Sequence, residues 1–297
     1  MDNRQLVELI TAEVIKALKE SGLMETDTVD TSSSTSYGGT GFAGDNLIDI
    51  ASKEYKASIQ IADPENQLAI NAMRRATTAR VGIGRSGPRL NTKSLISLRA
   101  DHAMAKDAVM KAADENILKQ MNLPIIQSQA REINEHLTRP DLGRKLPQES
   151  IDFIKQNCVM NPQVQIYVSD GLSNSAIDEN IREILPVLMD GLKEKGFTIG
   201  TPFFVKFGRV PTMDVISEIT GADVTVVLLG ERPGLAAADS MSAYMAYKAE
   251  VGMPESRRTV VSNIHKNGIQ PVEAGAYLVE IIEKMLATRS SGVDLVL

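Results

Sequence analysis

The sequence predicts an α/β protein whose C-terminal half is a parallel sheet wrapped by helices. Three observations carry that expectation. From about residue 147, short apolar runs alternate with helical periodicity, and alternating strands and helices imply a parallel sheet. The run DVTVVLLG at 223–230 is almost continuously apolar, as expected of a strand covered on both faces. Gly and Pro fall at the segment ends: Gly221 after one helical stretch and Pro271 opening another, where such residues stop and start helices.

In chain order, residues 1–23 read as an amphipathic helix. Leu6, Ile10, Val14, Ala17 and Leu18 recur at helical spacing, with Glu8, Thr11, Lys16 and Lys19 elsewhere on the wheel. Residues 24–46 are mostly Ser, Thr, Gly and Asp, the composition of a flexible linker. Residues 47–146 read as mainly helical. Asp63-Pro64-Glu65 predicts a helix start with Asp63 as N-cap, and a second helix follows Asn91-Thr92. In 147–297 strands are expected at 165–169, 201–207, 223–230 and 258–264. Helices are expected at 181–196, 211–221, 241–247 and 271–287.

Composition narrows the function. Hydrophobic residues make up 43% and aromatics 4%, with 13 Met and no Trp, so the core is aliphatic. A net charge of -6 argues against a duplex-DNA binder, which needs a basic face. The single Cys158 excludes an internal disulfide and fits a reducing compartment. Its helical setting suggests a buried, inert thiol. No apolar run approaches the roughly 20 residues of a membrane span, and the N-terminus has no secretory pattern. A soluble, intracellular protein is therefore expected.

Ligands of a parallel sheet bind beyond the carboxyl ends of its strands. Four loops of unusual composition fall there: 169–177, 207–212, 230–234 and 262–268. Asp170 either caps backbone amides or meets a ligand. Glu231 and Arg232 read as a surface ion pair or, in a turn set by Gly230, Pro233 and Gly234, as ligand contacts. His265 is more often a structural hydrogen-bonder than a base. A zinc-type cluster, a P-loop, a nucleophile elbow and an acid–base pair are all lacking. Gly82, Gly84 and Gly87 match G-x-G-x-x-G, but Pro88 and a further loop follow instead of a helix. A glycine-loosened turn carrying Arg80, Arg85 and Arg89 is the better reading. The competing possibility is a nucleotide-dependent oxidoreductase with Asp101 as its acidic partner; a non-catalytic scaffold is a third.

The runs VSDGLS (168–173), GTPFFVKFGRV (200–210), LLGERPGL (228–235) and SNIH (262–265) resemble the small subunit of ethanolamine ammonia-lyase. So do RRATTARVGIGRSGPR (74–89), ADHAMAKDAV (100–109) and LTRPDLGRKL (137–146). The resemblance spans about 48–290. It implies a Rossmann-like C-terminal domain and an adenosylcobalamin-dependent enzyme that converts ethanolamine to acetaldehyde and ammonia. The catalytic groups would lie on a TIM-barrel large subunit, with the corrinoid held between the two chains and no metal bound by side chains of this one. Carried over, the cobalamin contacts fall on Val210, Glu231 and Val260. Valine at 260 allows packing or a backbone contact but no sulfur chemistry. No D-x-H-x-x-G pattern is present, so the cofactor is expected to keep its own benzimidazole on cobalt. The family setting further implies a bacterial cytoplasm, packaging in a microcompartment, and contact with shell proteins through residues 1–23.

Overall fold

The computed structural model describes residues 50, 52, 55, 56, 58 and 60–296. The helix expected at 1–23 and the linker expected at 24–46 lie outside them. The elements belong to one unit, Ile48–Leu297.

Helix α1 (Gln67–Arg75) is capped by Asn66, whose side chain accepts from the Ala69 N–H. The start expected at Asp63-Pro64 is thus three residues early: Asn66 supplies the cap oxygen. A two-residue hairpin, β1 (Arg85–Ser86) and β2 (Arg89–Leu90), precedes α2 (Thr92–Met110), which Asn91 caps as expected. Short α3 (Glu115–Gln120) leads to β3 (Ile125–Gln127), then α4 (Ile133–Thr138) and α5 (Gln148–Asn157). The remainder is β4 (Val164–Ser169), α6 (Asn174–Glu194), β5 (Phe203–Lys206), α7 (Thr212–Thr220), β6 (Val224–Gly230), β7 (Met241–Tyr247), β8 (Thr259–Ile264) and α8 (Pro271–Thr288).

The main sheet has the order β3-β5-β4-β6-β7-β8. The first four strands are parallel, whereas β7 is antiparallel to both β6 and β8. The sheet is mixed, which corrects the wholly parallel expectation. The cause is residues 241–247, expected as a helix and found as a strand. Met and Ala favour helix, but MSAYMAY alternates: Met241, Ala243 and Met245 join one core cluster while Tyr244 and Ala246 join the other. Pairing on both sides decides the outcome, because strand preference is mostly packing against neighbours. Two reversals return β8 to the direction of β6. Strand β3, drawn from the segment read as helical, closes the opposite edge; three residues are too few to show a period.

Both β4 and β6 are buried along their whole length. On one face α6 and α8 cover Val224, Val226 and Leu228; on the other, Val227 and Leu229 pack with Met213 and Ile216 of α7 and Ile154 of α5. Helix α7 ends at Gly221 (φ 72°), in the left-handed region that favours glycine. Helix α8 begins at Pro271.

Candidate functional site

The carboxyl ends of β3, β4, β5, β6 and β8 share one edge of the sheet, so the four loops singled out from composition lie together. Hydrogen bonds join the 169–177 loop to both 207–212 and 230–234. Asp170, just past β4, is 3% exposed and accepts the Phe207 N–H at 2.8 Å. The Phe207 carbonyl accepts from Ser128 Oγ at 2.8 Å and lies 3.1 Å from His136 Nδ1. His136 Nε2 lies 2.5 Å from the Gly171 carbonyl. Phe207 itself has φ 60°, costly for a bulky side chain. Three buried polar groups pin that conformation and with it the loop leading to Val210. Burial pushes the Asp170 carboxyl up to about 7. Burial, and then the Arg209 charge, push His136 down.

The ends of β4 and β6 approach closely. A Cβ on Gly230 would sit on the Ser173 and Asp170 carbonyl oxygens. The Leu172 N–H donates to the Gly230 carbonyl at 2.9 Å. Ser173 caps α6 by accepting from the Ala176 N–H, and its hydroxyl donates to the Ala238 carbonyl at 2.7 Å. The loop after β6 is held from both sides.

Glu231 is half-buried and turned onto the face shared with α7. Its carboxylate accepts Ser240 Oγ at 2.8 Å and Ser242 Oγ. The surface ion pair with Arg232 is not formed; the serines take its place. Ser242 lies opposite Leu229, and Tyr244 opposite Val260. Cross-strand partners share a face, so Glu231, Ser242, Tyr244 and Val260 line one side of the sheet. Burial, followed by the charges of Glu231 and Glu255, raises the Tyr244 hydroxyl pKa, so it stays a donor. Val260 is 44% exposed. Val210, from the loop after β5, packs with Tyr244 against the same core cluster. The fold thus sets the three residues on one face: Glu231 just beyond the carboxyl end of β6, Val260 near the start of β8 opposite Tyr244, and Val210 in the loop after β5.

Other expectations resolve differently. His265 is buried, with Nε2 2.9 Å from Asn263 Oδ1 and Nδ1 accepting the Asn267 N–H at 3.3 Å, so it holds its own loop. The G-x-G-x-x-G glycines fall in and before the β1–β2 hairpin, not in a strand-to-helix turn. Asp101, the would-be acidic partner, is buried and paired with Lys56 and Arg80. Cys158 caps α5, and burial raises its thiol pKa. Among the described residues no cluster of His, Cys, Asp or Glu could hold a metal ion, and no helix is long and apolar enough to cross a membrane.

With this geometry in place, residues 67–296 match the family described as ethanolamine ammonia-lyase light chain. The chain belongs to that family. A Clostridium tetani protein named ethanolamine ammonia-lyase small subunit is 53% identical over 247 residues, covering 83% of this chain and 84% of that protein. Proteins of the same name from Fusobacterium nucleatum and Listeria monocytogenes are 46% and 44% identical, each over 98% or more of this chain. The light-chain match begins at α1 and takes in every strand of the main sheet, so the whole carboxyl edge lies inside it. Reading residues one at a time missed Ser240, Ser242, Ser128 and His136. Their roles depend on register and on contacts distant in sequence.

Proposed function

We propose that this chain is the small subunit of an adenosylcobalamin-dependent ethanolamine ammonia-lyase, holding the corrinoid against a TIM-barrel large subunit on the sheet face that bears Val210, Glu231 and Val260. The observation that carries the reading is the single sheet face that holds the serine-anchored Glu231 carboxylate together with the exposed Val260 and the half-buried Val210. A corrin ring has an apolar periphery and neutral amide arms. The valines suit the first, and Glu231 is an acceptor for amide N–H groups.

When bound, the cofactor supplies the radical chemistry that converts ethanolamine to acetaldehyde and ammonia. This chain supplies position. Phe207 and its buried partners hold the Val210 loop, and the hydrogen-bonded β6–β7 connection holds Glu231. The large subunit carries the acid–base groups. The parallel half of the sheet, with helices on both faces, supports a Rossmann-like description of 147–297, preceded by a mainly helical domain at 47–146. Residues 1–23, tethered by 24–46, would direct the enzyme into a microcompartment of the bacterial cytoplasm through shell proteins.

Ammonia release from ethanolamine with adenosylcobalamin tests the reading. Turnover is expected only when this chain and the large subunit are combined. Turnover by this chain alone would overturn the division of labour, and full activity of the large subunit alone would overturn the holding role.

A further inference from the structure

We propose, on the reading that Glu231 faces the cofactor, that Ser240 and Ser242 are positioning residues that fix its carboxylate as a preorganised acceptor. Glu231 is the first residue beyond β6, on a ten-residue connection to β7. A glutamate at such a place is free to rotate, and freezing it on binding costs affinity. Here that freezing is done in advance. Ser240 Oγ donates to Oε2 at 2.8 Å and Ser242 Oγ donates to Oε1. The Glu231 N–H donates to the Ser240 carbonyl at 3.0 Å, closing the connection on itself.

The two serines differ in setting. Ser242 is fully buried in β7, and its register with Leu229 fixes where its hydroxyl can be. Ser240 is half-buried at the mouth of the strand. Each gives one hydrogen to one carboxylate oxygen. A carboxylate oxygen has room for a second donor, so both oxygens keep an acceptor site for incoming N–H groups. Tyr244, two residues on from Ser242, shares the face and senses the Glu231 charge. Tyr244 pairs with Val260 and Ser242 with Leu229, so the register puts the carboxylate on the same side of the sheet as the exposed Val260. A serine at 242 serving only to pack the strand would not need a hydroxyl; alanine would fill the site and leave no polar group to satisfy.

The test is a double-mutant cycle in the assembled two-subunit complex, titrated with cyanocobalamin and followed by absorbance. Ser242→Ala should weaken binding by about 3- to 10-fold, the usual effect of one hydrogen bond. In a Glu231→Ala background the same change should have no further effect. Ser242→Thr, which keeps the hydroxyl, should restore binding. Equal losses in both backgrounds would mean that Ser242 acts through the fold, overturning the positioning role. Unchanged affinity in Ser242→Ala beside weakened affinity in Glu231→Ala would also overturn it, leaving the site reading intact. Unchanged affinity in Glu231→Ala would overturn the site reading itself. If Ser242→Ala does not assemble, the same cycle with half-buried Ser240→Ala decides.

Discussion

Arg258 and Asp214 form a buried two-point ion pair, Nη1 to Oδ1 at 2.7 Å and Nη2 to Oδ2 at 3.0 Å. It ties the first turn of α7 to the residue that precedes β8. Val210 lies four residues before Asp214 and Val260 two after Arg258, so the pair sets the spacing of the two valines. Glu255 adds a third contact to the Arg258 Nε at 2.9 Å.

Removing one partner of such a pair leaves a buried charge alone, which typically costs about 3–5 kcal/mol. Arg258→Met should lower stability by that order. Pairing it with Asp214→Leu should recover most of the loss, because the stranded charge is gone. Chemical denaturation of the four proteins measures both. A double variant as unstable as Arg258→Met would show that packing of the long side chains, not charge pairing, is what matters.

Asp170 predicts a pH dependence. Its folded carboxyl holds a proton up to about 7, whereas an unfolded aspartate loses it near 4. Between those values the folded state binds more protons than the unfolded one, so this group's contribution to stability falls as pH rises through the window and is flat outside it. Asp170→Asn does not titrate. Relative to the native chain, the variant should gain on the order of 2–4 kcal/mol between pH 4 and pH 7. Denaturation midpoints of both proteins across that range test it. A constant difference would mean that Asp170 titrates alike in both states.

Much of this was legible in the residues. The almost continuous apolar run of β6 announces a strand covered on both faces, and Gly221 and Pro271 punctuate helices as their backbone preferences require. Val210 and Val260 could be named only through resemblance, since nothing in a valine signals a ligand, whereas the turn set by Gly230, Pro233 and Gly234 already marked Glu231 as a candidate. β7 was hidden because Met and Ala suit a helix until two neighbouring strands are available to pair with them. The Ser242 hydroxyl was hidden for a related reason: its partner is set by the β6–β7 register, which no local pattern encodes. Asp170 was evenly poised between two roles, and the structure gives it a backbone partner, the Phe207 N–H.

Residues 1–23 carry a prediction that rests on their sequence pattern. The short helix that the pattern predicts would be marginal alone in water, and the apolar stripe it would carry would suit a groove on a partner. Deleting 1–23 should leave cofactor binding and activity of the assembled enzyme intact while lowering recruitment into protein shells. Fusing the segment to a fluorescent protein should carry that protein into compartments. A truncated enzyme that loses activity yet is packaged normally would place the segment in the fold instead.

A cofactor lying on the face that bears Val210, Glu231 and Val260 would shield the backbone amides there. Amide hydrogen exchange of the assembled complex, with and without cobalamin, tests that placement most directly. Bound cobalamin should slow exchange in 207–211 and 231–240, and at Ser262 and Asn263 on the exposed part of β8. Unchanged exchange in all three segments, or protection at 82–89 instead, would contradict that placement.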